Sequence, residues 1–131
     1  MLKKHLYTIL FISWVVVITL LSLFSFPELD NEVVIEIPYI DKITHFTFHL
    51  IFVVLGCLFL KEKIGEAFKP NKGILIILIA AILYGILIEV LQYVMPFDRA
   101  AEIWDILANT MGALFGGLLI KKYFSLTRKL K

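Results

Sequence analysis

This chain has little of what marks a soluble or secreted domain. It holds one cysteine, four prolines and seven glycines in 131 residues, and only 18% of its residues are charged. A single cysteine, Cys57, excludes an intrachain disulfide and any cysteine-based metal motif. Lying inside an apolar run, it reads as a small buried side chain. Thirteen basic residues against eleven acidic ones leave a formal net charge of +2, which gives no electrostatic footprint for a nucleic acid. No internal repeat and no low-complexity tract is visible. What remains is apolar: 60% hydrophobic residues and a mean hydropathy of +0.91, values of an integral membrane protein.

Four apolar stretches approach the length of about 20 helical residues needed to cross a bilayer core. They are residues 6–24, 43–60, 74–95 and 103–120. The apolar run of the first is longer than a signal-peptide core of roughly 7–15 residues and no small-residue cleavage pattern follows, so it reads as a retained span. The connection 25–42 contains Pro27 and Pro38 and is acidic through Glu28, Asp30, Glu32 and Glu36. Pro96 stops the third stretch, a tight turn passes through Arg99, and a basic tail follows the fourth. The expected architecture is all-α, a single domain over residues 1–131 forming a four-helix transmembrane bundle. With both termini cytoplasmic, Lys3, Lys4, Lys61, Lys63, Lys69, Lys72, Lys121, Lys122, Arg128, Lys129 and Lys131 lie inside, and only Lys42 and Arg99 lie outside. That arrangement satisfies the positive-inside rule at every loop.

The polar residues within the spans are patterned. At 3.6 residues per turn, Gly85, Glu89, Gln92 and Pro96 share one stripe of the third helix. Glu102, Asp105, Asn109, Gly112 and Gly116 share one stripe of the fourth, and Asp41, His45 and His49 one stripe of the second. All lie toward the outer ends, in two layers about one turn apart, as if lining a shallow cavity. The serines and threonines of the first span can bond their own helix backbone and call for no special role.

An ionised side chain at the centre of a bilayer costs roughly 2.5–3.5 kcal/mol on insertion scales, so an intramembrane carboxylate is a functional candidate by default. Glu89, His45 and Asp105 are therefore expected to meet in one site as acid and base, or as ligands of a metal ion. Asp41, Lys42, Gln92, Arg99, Glu102 and Asn109 are expected around them as binding residues. Arg99 is expected to pair with Glu102 or Asp105, or to receive a phosphate or carboxylate. Gln92 and Asn109 also suit plain interhelical hydrogen bonding, His49 reads as a core histidine, and Gly112 with Gly116 forms a helix-packing face. Three functions compete: action on an envelope component at the outer leaflet, a proton or ion relay, and a non-catalytic partner or lipid-binding module. The relay lacks acidic or histidine residues in the inner halves of the spans.

The same residues resemble the VanZ-like family of bacterial membrane proteins. The resemblance rests on Asp41-Lys42-x-x-His45-Phe46, Glu89-x-x-Gln92, Pro96-x-x-Arg99 and Asp105-x-x-x-Asn109-x-x-Gly112 with Gly116 beyond, in the family's order and spacing over roughly residues 20–120. It implies a multi-pass protein of the bacterial cytoplasmic membrane. The family's founding member is associated with low-level teicoplanin resistance, which points to a lipid-linked cell-wall precursor or a glycolipid as the partner. His49 departs from the pattern, where an aromatic residue is usual. The resemblance assigns no cofactor, reaction or oligomeric state.

Overall fold

The structure is a computed structural model and describes residues 5–24, 39–95 and 101–130. Four helices account for nearly all of them: α1 (Leu6–Leu23), α2 (Ile40–Ile64), α3 (Pro70–Val94) and α4 (Ile103–Lys129). Each is long and apolar enough to cross a membrane, and no strand occurs among the described residues. The helices outrun the hydropathy boundaries of their sequence. α2 continues through Lys61–Ile64, α3 begins at Pro70 rather than at 74, and α4 carries the basic tail to Lys129. Backbone hydrogen bonding extends past the apolar region because Lys, Glu and Arg are good helix formers that keep their heads in the polar interface. Gly65, at φ 63°, takes the backbone conformation that ends α2, and Pro70 occupies the first turn of α3, where its missing N–H costs nothing.

The bundle runs up, down, up, down. α2 and α4 are parallel and form its most intimate pair: the start of α2 meets the start of α4, and Phe124 near the end of α4 lies under the Lys61 ammonium at the end of α2. A methyl group on Gly112 would collide with the Phe46 carbonyl, and one on Gly116 with the Leu50 carbonyl. The two glycines thus let the backbones touch, as small-residue stripes do in lipid, where packing rather than water exclusion drives association. The apolar core lies below the site, where Phe52, Val53 and Cys57 of α2 meet Ile77 and Ala81 of α3 and Ala113 of α4.

α1 is the lightly held helix, burying only Ile18, Ser22 and Leu23. Its polar groups do more than bond their own backbone. Trp14 Nε1 donates to the Phe48 carbonyl, Thr19 Oγ1 lies 2.7 Å from the Tyr84 hydroxyl, and Thr8 donates to Glu62. These bonds tie α1 to α2 and α3 where little apolar burial does so. The contacts of Thr8 with Glu62 and of Lys61 with Phe124 put the start of α1 and the end of α4 at the same end of the bundle. Eight of the nine described basic residues belong to segments at that end, and Lys42 stands alone at the other.

Candidate functional site

The Lys42 end holds a network of charged and polar groups drawn from α2, α3 and α4. Lys42 Nζ lies 2.7 Å from Asp105 Oδ1, 2.6 Å from Glu102 Oε2 and 3.4 Å from Asp41 Oδ2. One ammonium thus gathers three carboxylates. Asp105 is deeply buried and sits in the first turn of α4, where the helix dipole favours a negative charge. One turn of α2 beyond Asp41, His45 turns Nε2 between the two aspartates, 3.7 Å from Asp41 Oδ1 and 3.7 Å from Asp105 Oδ2. Its other nitrogen, Nδ1, lies 3.1 Å from Asn109 Oδ1, one turn along α4 from Asp105.

Glu89 reaches the network from α3. Its Oε2 accepts the backbone N–H of Glu102 at 3.2 Å, so a side chain of one helix satisfies a free donor at the start of another. The carboxylate is 4% exposed, and its Oε1 has no hydrogen-bond partner among the described residues. It lies within electrostatic reach of His45, Asp105 and Asp41.

A second layer lies one turn deeper. His49 Nδ1 lies 3.2 Å from the His45 carbonyl, while His49 Nε2 and Asn109 Nδ2, both buried, have no hydrogen-bond partner among the described residues. Both face Gly85: a β-carbon there would lie 3.0 Å from the imidazole nitrogen and 3.1 Å from the amide nitrogen. The absence of a side chain at position 85 is what lets three helices bring polar groups together at this depth. In sequence, His49 reads as a core histidine and Gly85 as one position of a stripe. Spacing placed both on the correct faces but could not show that they meet.

Of the residues singled out from sequence, the structure brings together Asp41, Lys42, His45, Glu89, Glu102, Asp105 and Asn109. Gln92 is not among them: its Nε2 donates to the Ser22 carbonyl at 2.8 Å, fastening α3 to α1. Arg99 and Pro96, with the pairing expected of Arg99, lie outside the described residues. Lys42 holds both carboxylates, Glu102 and Asp105, that were expected to pair with Arg99. Gly112 and Gly116 pack against α2 as the stripe implied. The group of histidine and carboxylate atoms close enough to share a metal ion is Asp41, His45 and Asp105, and Glu89 is not part of it.

A family model for VanZ/LLP1 matches residues 4–126, which takes in α1 to α3, all but the last turn of α4, and the whole polar network. The chain belongs to the VanZ/LLP1 family. Comparisons with curated proteins and with solved structures gave no match. Of the motif positions within the described residues, Asp41, Lys42, His45, Glu89, Asp105 and Asn109 converge in the network, Phe46, Gly112 and Gly116 lie at the contact of α2 with α4, and Gln92 is set toward α1.

Proposed function

We propose that this protein is a multi-pass protein of the bacterial cytoplasmic membrane whose polar network faces outward and binds, or acts on, the headgroup of an envelope lipid such as a glycolipid or lipid-linked cell-wall precursor. The observation that carries this reading is a half-open cleft of about 530 Å³ between α1 and α2. Leu21 and Ser22 of α1 form one wall and Ile40, Asp41, Thr44, His45 and Phe48 of α2 the other, so polar and apolar side chains mix in its lining. A cleft of that mixed lining, beside lipid-facing helix surfaces, suits an amphiphile entering sideways with its headgroup on Asp41 and His45.

The charge balance narrows the headgroup. Lys42 is already engaged by three carboxylates, so the described groups favour hydroxyl or ammonium donors over a bare phosphate. Carboxylate and imidazole together suit sugar hydroxyls, either to hold them or to move a proton. The outward orientation is supported by the basic residues at the opposite end. A change in host tolerance to teicoplanin-type glycopeptides would follow if the bound lipid is a glycopeptide target or a precursor of one.

The test is to extract the protein with its surrounding lipid and identify what co-purifies by mass spectrometry. Enrichment of a hydroxyl-rich lipid class in the wild type, lost in Asp41→Asn and in a cleft-filling Leu21→Trp, is expected. A lipid profile identical to that of bulk membrane in all three would overturn it. The competing reading, a non-catalytic module whose network is structural, is favoured by Glu89 bonding the start of α4 and by Lys42 joining α2 to α4. It requires that network variants lower protein level in step with any phenotype.

A further inference from the structure

The two aspartates of the network each turn one oxygen toward Lys42 and the other toward His45. Asp41 turns Oδ2 toward Lys42 and Oδ1 toward His45; Asp105 turns Oδ1 toward Lys42 and Oδ2 toward His45. Lys42 therefore does not fill the space between His45 and the aspartates. At 3.7 Å on both sides, His45 Nε2 makes no hydrogen bond to either oxygen. A 4% exposed imidazole thus aims its Nε2 at two carboxylate oxygens without hydrogen-bonding either.

We infer that Asp41 Oδ1, His45 Nε2 and Asp105 Oδ2 are the ligands of one divalent transition-metal ion, of the zinc or manganese class. Each of the three residues offers one ligand atom, and these atoms lie within 4.8 Å of one another. An ion with ligands at about 2.0–2.2 Å sets neighbouring ligand atoms roughly 3.0–3.5 Å apart, so small side-chain rotations close the site. The outer contacts suit the same role. A hydrogen bond from His45 Nδ1–H to Asn109 Oδ1 leaves the lone pair on Nε2, and a second polar partner of this kind usually orients a metal-bound histidine.

Charge points the same way. Asp41, Glu89, Glu102 and Asp105 place four carboxyl groups at this end of the bundle, where Lys42 is the one described cation with a fixed charge. Carboxyl groups gathered this closely attract a divalent ion. Two carboxylates and one imidazole are a mixed set that borderline ions accept and that calcium or magnesium, which prefer oxygen alone, do not favour. Three protein ligands leave coordination positions for water or for a headgroup oxygen. The metal site does not depend on which lipid, if any, the cleft receives.

The test uses the full chain in detergent, stripped with chelator and titrated with Zn²⁺ by calorimetry and with Co²⁺ by visible absorption. One ion per chain is expected. Asp41→Asn is the most informative variant, because that side chain is 41% exposed and its loss puts the fold least at risk. It should weaken binding by about tenfold or more, with His45→Gln weakening it at least as much. Glu62→Gln, at the opposite end, should leave the titration unchanged. Absence of saturable binding in the wild type overturns the inference, as does equal affinity in wild type, Asp41→Asn and a folded His45→Gln.

Discussion

Two glutamates of this bundle perform the same local task in opposite surroundings. Glu62, at the end of α2, accepts the backbone N–H groups of Tyr7 and Thr8 and the Thr8 hydroxyl, and so closes the start of α1. Glu89, near the end of α3, accepts the Glu102 N–H and closes the start of α4. Both place a carboxylate at the positive end of a helix. Glu62 has both oxygens bonded, to one partner helix, at the water-facing end. Glu89 is buried, has one oxygen bonded and one without a partner among the described residues, and lies within electrostatic reach of two further carboxylates and a histidine. A cap alone explains Glu62 completely. It explains half of Glu89, and the remaining oxygen, kept in a place where an unpaired polar atom is expensive, marks the site.

Removing each carboxylate outright gives the largest contrast. Glu89→Leu leaves the Glu102 N–H without its acceptor and puts an aliphatic side chain among ionised groups. A loss of about 3 kcal/mol and a sharp fall in membrane-inserted protein are expected, read by thermal melting in detergent and by quantitative blotting. Lys42→Met tests the rest of the network from the other side. It leaves the buried Asp105 carboxylate without its 2.7 Å partner, and breaking such a pair costs roughly 3 kcal/mol. Wild-type stability in both variants would mean that the network contributes nothing to the fold, and the contrast with Glu62 would fall.

How far sequence reaches into this contrast depends on what sets each position. The faces of α2, α3 and α4 were legible, because helical period turns 3- and 4-residue spacings into stripes and lipid makes a polar stripe conspicuous. The close approach of α4 to α2 was legible from Gly112 and Gly116 for the same reason. Partner choice across helices was not. Glu89 and Gln92 share a stripe, yet one turns to α4 and the other to α1, because the stripe of α3 faces the groove between both neighbours. The reach of Lys42 to Asp105 depends on α2 and α4 being parallel and in register, which no local pattern encodes. Glu62 falls outside the apolar stretch 43–60, since hydropathy marks where a span leaves lipid and not where its helix ends.

A subtler change separates the cap from the site in Glu89 itself. Glu89→Gln keeps the shape and one carbonyl-type oxygen for the Glu102 N–H, so stability should fall by about 1 kcal/mol or less. It removes the negative charge beside His45 and Asp105. Lipid enrichment, or any glycopeptide phenotype of the wild type, should disappear while protein level stays near normal. Retained function in Glu89→Gln would reduce Glu89 to a structural cap and erase its difference from Glu62.

The smallest expected effect completes the comparison. Glu62→Gln also keeps an acceptor, and the amide can still receive two of the three bonds that now converge on the carboxylate. Its site lies where water can replace what is lost, and it touches only the first turn of a helix whose end frays readily. The expected readout is faster amide exchange at Tyr7 and Thr8, with melting temperature, lipid content and phenotype close to wild type. α1 makes this measurement sensitive, because it buries so little apolar surface that its polar ties set its local stability. A loss of function as large as that of Glu89→Gln would show that the start of α1 is coupled to the distant network. The α1–α2 cleft, with Leu21 and Ser22 on one wall and Asp41 and His45 on the other, would then transmit that coupling through the position of α1.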